Sequence, residues 1–561
     1  MDDYRASTPT AVEVTVSVGD ADLTGFDFGY RRLATIGDLV WLDANDDGLR
    51  GADESPIAGV TLKLIDAKGV ERGRKTTDAN GAYFFKVLPG DWTVAVIEGA
   101  DALSGHRPTT PSSLTIPVTV DGASALNYDF GYQPSAGAGD SAISVNTLDS
   151  EGRDGRCSLA EALRAAETDE TVDGCLAGSG HDKIYISVLG MISAPRSGFQ
   201  VESSVTVQGN PGGTTVSGGG GFDVVVTDNA SMEAATVTDV TLDNMTIGAV
   251  FDSAVSITDA AGSALDTAYT VVLENLHLEK SVEAGVGFVR AFASRRPGRV
   301  EVRNSVLEGN GGGGVYLDAC DPNSSSTVMK VTNSIIRANV GGARNECGHL
   351  MVVDSTISGN VFAGGVRALG GRRQGGGGGS ARLASTHTEL INVTITKNTS
   401  RSRGVGVALS GSGELKPTLT IANSTIADNV DSSFGSRRGD GIHQVGPADV
   451  SITNTVVAGN DGDQCGDKLT LAANSGNASS DDSCGFGLEN ASASLQGLAD
   501  NGGAAPVGPN GGMGNVYTMA IDATSPLHDA GHAASCQATD ARGQPRPQGG
   551  VGCDIGAYET Q

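Results

Sequence analysis

Residues 43–54 carry the oxygen donors that a hard divalent cation prefers. The stretch reads DANDDGLRGADE, with oxygen-bearing side chains at positions 1, 3, 5 and 12 of a twelve-residue loop. Glycine at position 6 permits a sharp turn, and the backbone carbonyl at position 7 adds a ligand. The predicted calcium ligands are Asp43, Asn45, Asp47, the carbonyl of Leu49, and Glu54.

The flanks of this loop show no helical pattern, which excludes a helix–loop–helix calcium hand. Asn-Asp-Asp-Gly is also good turn chemistry, so a solvated acidic turn without an ion is the alternative. Short strand-like runs follow at turn-punctuated intervals, beginning with GVTLKLID and ending at Tyr132. Such a run of about 100 residues predicts a β-sandwich.

Residues 34–134 resemble the B domain of serine-aspartate repeat surface proteins, an SdrD B-like domain related to the Cna-B repeat of collagen adhesins. The resemblance rests on IGDLVWLDANDDG, TTDANGAYFFKVLPGDWTV and YDFGY. It implies an Ig-like or prealbumin-like stalk unit that is stiffened by Ca2+ and used in tandem. Residues 12–30 match residues 114–132, so residues 1–33 are expected to be the tail of a preceding, truncated repeat.

Composition favours an all-β protein. The chain has 561 residues, 81 of them Gly, and only 4% are aromatic, which favours short strands and tight turns. A net charge of −28 disfavours binding to nucleic acid or to anionic membrane. No stretch is apolar for the roughly 18 to 20 residues that a membrane span needs.

Eight cysteines fall along the chain as four local couples, none with the close spacing of a zinc or redox site. Disulfides in an oxidising compartment are therefore predicted, and reduced buried thiols are the alternative. The couples are Cys157 with Cys175, Cys320 with Cys347, Cys465 with Cys484, and Cys536 with Cys553. The start MDDYRASTPT lacks the features of a signal peptide, so we expect a fragment without its N-terminus.

One phrase recurs between about residues 240 and 460, in forms such as VEVRNSVLEGN and LTIANSTIADN. Apolar alternation leads to Asn, and a second Asn follows six residues later. The pairs are Asn304/Asn310, Asn333/Asn339, Asp354/Asn360, Asn392/Asn398, Asn423/Asn429 and Asn454/Asn460. First members lie 21 to 38 residues apart, which fits one coil of a solenoid plus variable loops. The pattern predicts a right-handed parallel β-helix with asparagine ladders at its corners.

The predicted order of segments follows from these patterns. A linker, PSAGAGDSA, precedes a segment with one helix, in which Ser158 is the expected N-cap and Glu161 its partner. This segment resembles the CSLREA motif region of large β-helical surface proteins, with Ala160 where that family has Arg, and implies a cap over the first coil. The expected segments are 1–33, 34–134, 135–142 (linker), 143–210 (cap and first coils), 211–485 (β-helix) and 486–561 (C-terminal coils and cap).

The C-terminal stretch resembles the closing segment of choice-of-anchor surface proteins of the Q type. RGQPRP and CDIGAYE carry the match. The resemblance implies a disulfide-stapled cap over the last coil.

Catalytic constellations are not evident on the repeats. Pectin-degrading β-helices use paired adjacent Asp, Gly-His-Gly and a basic triplet. The repeats carry none of these, and Asp481-Asp482 lies in a Ser-rich loop between Cys465 and Cys484, so we expect a protein that is not an enzyme. His349 and His443 are expected to be isolated loop histidines, and His528 and His532 lack the Glu of a zinc protease motif. A polysaccharide lyase or glycoside hydrolase built from dispersed residues stays open.

Arginines interrupt the repeats, mostly after the second Asn. If these loops share a corner, they form a basic stripe on an acidic rod that grips glycan carboxylates or sulfates, and solubilising loops are the alternative. The stripe consists of Arg295, Arg296, Arg372, Arg373, Arg401, Arg403, Arg437 and Arg438.

The sequence thus predicts a bacterial cell-surface or secreted, adhesin-like protein. A calcium-stiffened stalk presents a monomeric β-helix to an extracellular glycan or to a host or matrix protein. A structural spacer is the remaining alternative.

Overall fold

The computed structural model describes most of the chain as two compact units, residues 1–139 and 140–561. The described residues are 3–8, 10–14, 27–43, 50, 54–97, 103, 106–111, 113–119, 122, 124–126, 128–134, 142–150, 152–210, 212–226, 239–259, 268–290, 298–319, 327–370, 386–401, 404–411, 416–432, 440–466, 469–489, 491–503, 507–547 and 552–561. Most of the predicted linker and most of residues 12–30 lie outside them.

The first unit is built from short strands. They are β1 (Tyr4–Ala6), β2 (Tyr30–Arg32), β3 (Ala34–Leu42), β4 (Thr61–Asp66), β5 (Glu71–Thr76), β6 (Ala82–Val87), β7 (Gly90–Val96), β8 (His106–Pro108), β9 (Ser113–Val118), β10 (Ser124–Leu126) and β11 (Phe130–Pro134). Strands β1 and β2 form a separate antiparallel pair.

Two sheets form the sandwich of the first unit. One has the order β10-β3-β11-β8 with β6 also paired to β3, and the other has the order β5-β4-β7-β9. Alternate residues point into the core between the sheets, so that Ile36, Leu62, Val94 and Phe130 are fully buried. The buried Tyr83 satisfies its hydroxyl by donating to Tyr128 O at 2.5 Å.

A capped helix opens the second unit. Helix α1 (Leu159–Thr168) starts at the N-cap Ser158, and the predicted capping box with Glu161 is confirmed. Glu161 Oε2 accepts from Ser158 N at 3.0 Å, while Ser158 Oγ accepts from Glu161 N at 3.3 Å. The apolar side of the helix, including Leu159 and Ala162, joins the core of the first coils.

The rest of the second unit is a stack of strands. They are β12 (Ala142–Val145), β13 (Asp182–Ile186), β14 (Gly190–Ser193), β15 (Phe199–Val201), β16 (Val205–Gln208), β17 (Thr214–Ser217), β18 (Phe222–Val226), β19 (Asp239–Asp243), β20 (Thr246–Gly248), β21 (Val255–Asp259), β22 (Tyr269–Glu274), β23 (His277–Glu279), β24 (Ala284–Arg290), β25 (Gly298–Arg303), β26 (Val306–Glu308), β27 (Gly313–Asp318), β28 (Val328–Thr332), β29 (Ile335–Arg337), β30 (Ala343–Ser358), β31 (Val366–Leu369), β32 (Thr386–Thr396), β33 (Thr399–Ser400), β34 (Val407–Ser410), β35 (Thr418–Ala422), β36 (Thr425–Ala427), β37 (Val430–Asp431), β38 (Ile442–Val445), β39 (Asp449–Thr453), β40 (Val456–Ala458), β41 (Leu471–Ser475), β42 (Ala478–Ser479), β43 (Leu498–Ala499) and β44 (Thr518–Met519). Short 3-10 turns follow at Ala491–Ser494, Pro509–Gly511 and Ala533–Ser535.

Each coil contributes three strands, and equivalent strands of successive coils pair in parallel. Sheet 1 contains β12, β13, β16, β19, β22, β25, β28, β35, β39 and β41. Sheet 2 contains β14, β17, β20, β23, β26, β29, β36, β40 and β42. Sheet 3 contains β15, β18, β21, β24, β27, β31, β34 and β38. The long strand β30 passes through all three sheets, and β32 passes through sheets 1 and 2. The predicted all-β fold, a sandwich followed by a parallel β-helix with a small helical cap, is confirmed.

The first residue of each repeated phrase turns the corner between sheets 1 and 2. Its φ lies between 44° and 57°, in the left-handed region that Asn and Asp tolerate best among non-glycine residues. These corner residues are Asn244, Asn275, Asn304, Asn333, Asp354, Asn392, Asn423 and Asn454. Backbone conformation therefore explains why this position is Asn or Asp in these eight coils.

The second Asn of each phrase forms a buried ladder that links one coil to the next. Each Nδ2 donates to the Oδ1 of the next member at 2.8 to 3.0 Å, and Asn460 donates to Gln464 Oε1 at 2.7 Å. The same Oδ1 accepts the backbone N–H of the preceding member. The ladder members are Asn310, Asn339, Asn360, Asn398, Asn429 and Asn460, all at most 5% exposed. The predicted corner ladder is confirmed.

The C-terminal stretch, residues 491–503, 507–547 and 552–561, runs back along the rod, and we call it the flanking segment. Gly508 N donates to Asn304 O at 2.6 Å, and His532 N donates to Asn454 Oδ1 at 2.6 Å. Between these points Tyr517 exchanges hydrogen bonds with Thr356 Oγ1 at 2.7 and 2.8 Å. We predicted a cap over the last coil, whereas these contacts span several coils along the side.

Apolar side chains explain this course. Val306 and Ile335 of sheet 2 point away from the main core and pack with Val507 and Val516. Val456 similarly packs with other residues of the flanking segment. The outer face of sheet 2 is therefore buried at Val306, Ile335 and Val456, where the flanking segment covers it.

The ladder predicts a strong effect of one amide. Asn360→Ala removes bonds to Asn339, Asn398 and Ile336 O and leaves buried polar groups unpaired. We expect the free energy of unfolding to fall by about 2 to 4 kcal/mol. Chemical denaturation measures it, with Asp461→Ala at an exposed corner position as the control, expected to change by less than about 0.5 kcal/mol. Equal effects of the two variants would contradict a structural ladder.

Candidate functional site

The ends of the predicted calcium loop are held together. Leu42 N donates to Ser55 O at 2.7 Å, and Trp41 forms an isolated bridge with Pro56. The neighbouring Asp43 is fully buried, and its backbone N–H donates to Tyr132 O at 2.8 Å. Loop positions 1 and 12 thus begin and end at one point of the sandwich, as a loop that wraps an ion requires.

The remaining predicted ligands Asn45, Asp47 and Leu49 lie outside the described residues, whereas Glu54 is described and half-buried. A buried carboxylate beside closed loop ends fits a hard cation. When bound, Ca2+ would tie Asp43 and Glu54 together and stiffen this end of the module. The structure holds the frame of the loop, and the ion itself stays a prediction.

The flanking segment leaves the outer faces of sheets 1 and 3 available among the described strands β25 to β40. On sheet 3, Tyr316, Arg344 and Arg367 stand side by side on β27, β30 and β31. The guanidinium carbon of Arg344 lies 5.4 Å from the centroid of the Tyr316 ring. We call these three residues the sheet 3 cluster.

Acidic neighbours orient the sheet 3 cluster. Tyr316 donates its hydroxyl hydrogen to Asp318 Oδ2 at 3.2 Å, and Arg344 forms an ion pair with Glu346. Burial and the positive charge of Arg344 lower the pKa of Arg367. Two guanidinium groups beside an aromatic face suit a ligand that offers both an anionic group and a ring with an apolar face.

Sheet 1 carries a column of charge on its outer face. Asp243, Glu274 and Arg303 follow one another in register on β19, β22 and β25. Arg303 Nη2 pairs with Glu274 Oε2 at 2.8 Å. Burial, reinforced by the charge of Glu274, raises the pKa of Asp243 to about 6 despite the hydrogen bond donated by Asn275. A carboxyl with this pKa titrates near neutrality, as general acids and bases do.

Most of the predicted arginine stripe lies outside the described residues. Its single described member, Arg401, is exposed, with its guanidinium carbon 5.9 Å from the centroid of the Phe362 ring. The members that lie outside are Arg295, Arg296, Arg372, Arg373, Arg403, Arg437 and Arg438.

The sheet 3 cluster was not predicted from the sequence. Tyr316, Arg344 and Arg367 follow the ladder residue of their coils by six, five and seven residues. This offset varies because the corner between sheets 2 and 3 differs in length from coil to coil. Register on the sheet, which the sequence does not show, is what brings them together.

Three of the predicted cysteine couples are joined as disulfides. Cys157–Cys175 staples the helical cap, Cys465–Cys484 closes the last coils, and Cys536–Cys553 lies in the flanking segment. Cys320, the predicted partner of Cys347, lies outside the described residues. In the described part of the chain, no helix combines the length and the apolar character needed to cross a membrane.

Comparison with known proteins defines the class of the first module. Residues 34–113 match the family described as SdrD B-like domain. The chain is 36% identical over 132 residues to serine-aspartate repeat-containing protein F of Staphylococcus epidermidis, covering 21% of the chain and 8% of the relative. It is 41% identical over 87 residues to protein C of the same series from Staphylococcus aureus, covering 16% and 9%.

The chain thus spans about a tenth or less of the length of these relatives. Among solved structures, pectate lyase Pel9A aligns at 14% identity with a TM-score of 0.40, over 75% of this chain and 98% of that one. The Bacillus anthracis TIE protein aligns at 12% identity with a TM-score of 0.15, over 20% of this chain and 18% of that one.

Calcium should stabilise the first module. We expect saturating Ca2+ to raise the melting temperature of its transition in the full chain by at least about 5 °C, because an ion that binds only the folded loop shifts the equilibrium. Calorimetry with and without a chelator measures this shift. Glu54→Gln should abolish it, whereas Glu71→Gln, at an exposed glutamate paired with Arg74, should keep it. A shift that survives Glu54→Gln would contradict the predicted loop.

Asp243 should make the stability of the rod depend on pH. A carboxyl with a raised pKa in the folded state holds its proton more tightly when folded, so this stabilisation is complete below the unfolded value of 3.8 and is lost as pH rises through about 6. The free energy of unfolding of Asp243→Asn should therefore equal that of the native chain at pH below about 4 and exceed it by about 1 to 3 kcal/mol at pH 7. Urea unfolding across this range measures the difference. The control Asp239→Asn, at an exposed residue of the same strand, should show no such trend.

Proposed function

We propose that this chain is part of a bacterial cell-surface or secreted, adhesin-like protein whose β-helix binds an anionic glycan. The SdrD B-like module serves as a calcium-stiffened stalk, and the β-helix acts as a monomer. The observation that carries the proposal is the stacking of Tyr316, Arg344 and Arg367 on the outer face of sheet 3.

The chemistry of the sheet 3 cluster supports this ligand class. The planar guanidinium of Arg344 offers paired donors to a carboxylate or sulfate, and the ring of Tyr316 offers a face on which a sugar packs. Adjacent strands in a parallel sheet lie about 4.8 Å apart, close to the length of one sugar ring. A polysaccharide laid along the rod would therefore meet one side chain per coil.

The charge of the chain sets how this binding should behave. With 66 acidic and 38 basic residues, the protein as a whole repels polyanions. Attraction must come from short-range ion pairs between the arginines of the sheet 3 cluster and anionic groups of the glycan. Binding should therefore be weakened by salt and should require anionic groups at the spacing of these arginines. Three disulfides support an extracellular location, because such bonds persist in oxidising compartments.

A polysaccharide lyase or hydrolase is the second candidate. The raised pKa of Asp243, to about 6, beside Glu274 and Arg303 on sheet 1 favours acid–base chemistry there. We expect binding without turnover, because Asp243 is largely enclosed and receives side-chain hydrogen bonds from Asn275 and Gln208. Ultraviolet absorbance of unsaturated products, or release of reducing sugar, would establish the enzyme instead.

Glycan retention tests the proposed function. The full chain should bind immobilised polygalacturonate or dextran sulfate but not neutral dextran. Arg367→Gln and Arg344→Gln should each weaken binding about tenfold or more, whereas Arg299→Gln, at an exposed arginine of sheet 1, should leave it unchanged. Circular dichroism melting verifies that each variant is folded. Equal retention of all variants would overturn the cluster as the binding site, and no retention at all would favour a structural spacer.

A further inference from the structure

Two histidines that are far apart in the sequence meet on sheet 1. His349 lies in β30 and His387 in β32, and the two residues stand directly opposite each other in register. Their ring centroids are 4.5 Å apart, with the planes at 70°. We predicted isolated loop residues at His349 and His443. The structure corrects both, because β30 continues through the corner as a strand and because His443 lies buried in β38.

A glutamate completes the group. Glu389 lies two residues after His387 on the same face, and its Oε1 is 2.7 Å from His387 Nε2 and 3.1 Å from His349 Nε2. Both imidazoles therefore aim one nitrogen at the same carboxylate oxygen. All three potential ligand atoms lie within 4.8 Å of one another.

We propose that His349, His387 and Glu389 form a binding site for Zn2+ or a similar divalent transition metal. Two imidazoles and one carboxylate are a ligand set that zinc accepts, with a fourth position left for water or an exogenous ligand. Ligand atoms around tetrahedral zinc lie about 3.3 Å apart, as follows from bond lengths near 2 Å. The distances of 2.7 and 3.1 Å from Glu389 Oε1 to the two imidazole nitrogens would widen by about 0.6 and 0.2 Å.

The scaffold holds the three side chains on one surface. The alternating residues Leu350, Val352, Thr388 and Leu390 are fully buried in the rod, so the residues between them must point outward. Side-chain exposures of 25% for His349, 35% for His387 and 22% for Glu389 leave the group open to solvent on one side. The site is thus built on rigid strands and stays accessible to an ion.

Neighbouring strands border the group on both sides. The adjoining strands present Val328 and Lys330 on one side and Thr418 and Thr420 on the other.

A second group with similar residues serves as a contrast. His528, Asp529 and Asp554 also approach one another in the flanking segment. The buried Asp554 already accepts backbone N–H groups from Asp529 at 2.9 Å and from Thr560 at 2.6 Å. Its oxygens hold a turn, whereas Glu389 accepts from the two imidazoles in the contacts described above.

Zinc titration of the full, chelator-stripped chain tests the site. Excess Ca2+ is kept in the buffer so that hard-cation loops do not contribute. Isothermal calorimetry should detect one Zn2+ ion bound by His349, His387 and Glu389. Its affinity should be weakened at least about tenfold by His387→Gln and by Glu389→Gln. His181→Gln, at an exposed histidine elsewhere on the rod, is the matched control and should bind as the native chain does. Co2+ should give the visible absorption of a four-coordinate ion with the native chain and with His181→Gln, but not with His387→Gln or Glu389→Gln.

A protection experiment on the native chain makes the test independent of variant folding. Zn2+ should shield His349 and His387 from diethyl pyrocarbonate, read by mass spectrometry, and leave His181 reactive. Unchanged binding in His387→Gln would overturn the proposal. Loss of binding in His528→Gln with retention in His387→Gln would do the same, because the metal would then belong to the flanking segment.

Discussion

At the corner between sheets 2 and 3, each coil from Asn310 to Asn460 shares a side-chain amide with the neighbouring coils of the ladder. The shared oxygen accepts a backbone and a side-chain N–H from the preceding coil, and the amide nitrogen donates in both directions, as for Asn360. In a buried setting these groups have no water to fall back on, so a coil of the wrong register would leave them unpaired. The ladder thus fixes the register of the stacked coils, and the aliphatic side chains of the core pack in that register. Every surface on the rod inherits its alignment from this constraint.

The flanking segment decides which of these surfaces face outward. It covers sheet 2 because that sheet places Val306, Ile335 and Val456 on its outer side. A buried ion pair between Arg546 and Glu559 at 2.7 Å fixes the segment, with Arg546 also donating to Gly556 O. The outer faces of sheets 1 and 3 remain, and they carry unlike chemistry. Sheet 3 presents arginine with tyrosine, and sheet 1 presents carboxylates and histidines.

Much of this architecture could be predicted from the repeated phrase, because a period seen in sequence becomes a neighbour relation in a solenoid. The left-handed φ of Asn333 or Asn423 restricts the residue type at the corner, so this position can be recognised in the sequence. His349 and His387 also left a mark, since each lies five residues before the first Asn or Asp of its phrase. Because the offset is the same, the two histidines occupy equivalent positions on adjacent strands. To predict this contact, each histidine would have to be numbered from the repeated Asn or Asp of its own coil. The sheet 3 cluster and the course of the flanking segment left no such mark, because their contacts depend on corner lengths and on a segment without a repeat.

The flanking segment follows, in the sequence, all the coils that it covers. Until it has been made, the rod carries an uncovered aliphatic seam along sheet 2, formed by residues such as Val306 and Ile335. Coils can stack one by one from the capped end, yet the seam closes only when the flanking segment is added. Chains that lack this segment would associate through the exposed seam, so the order of the residues makes covering of the seam a late step in the assembly of the rod.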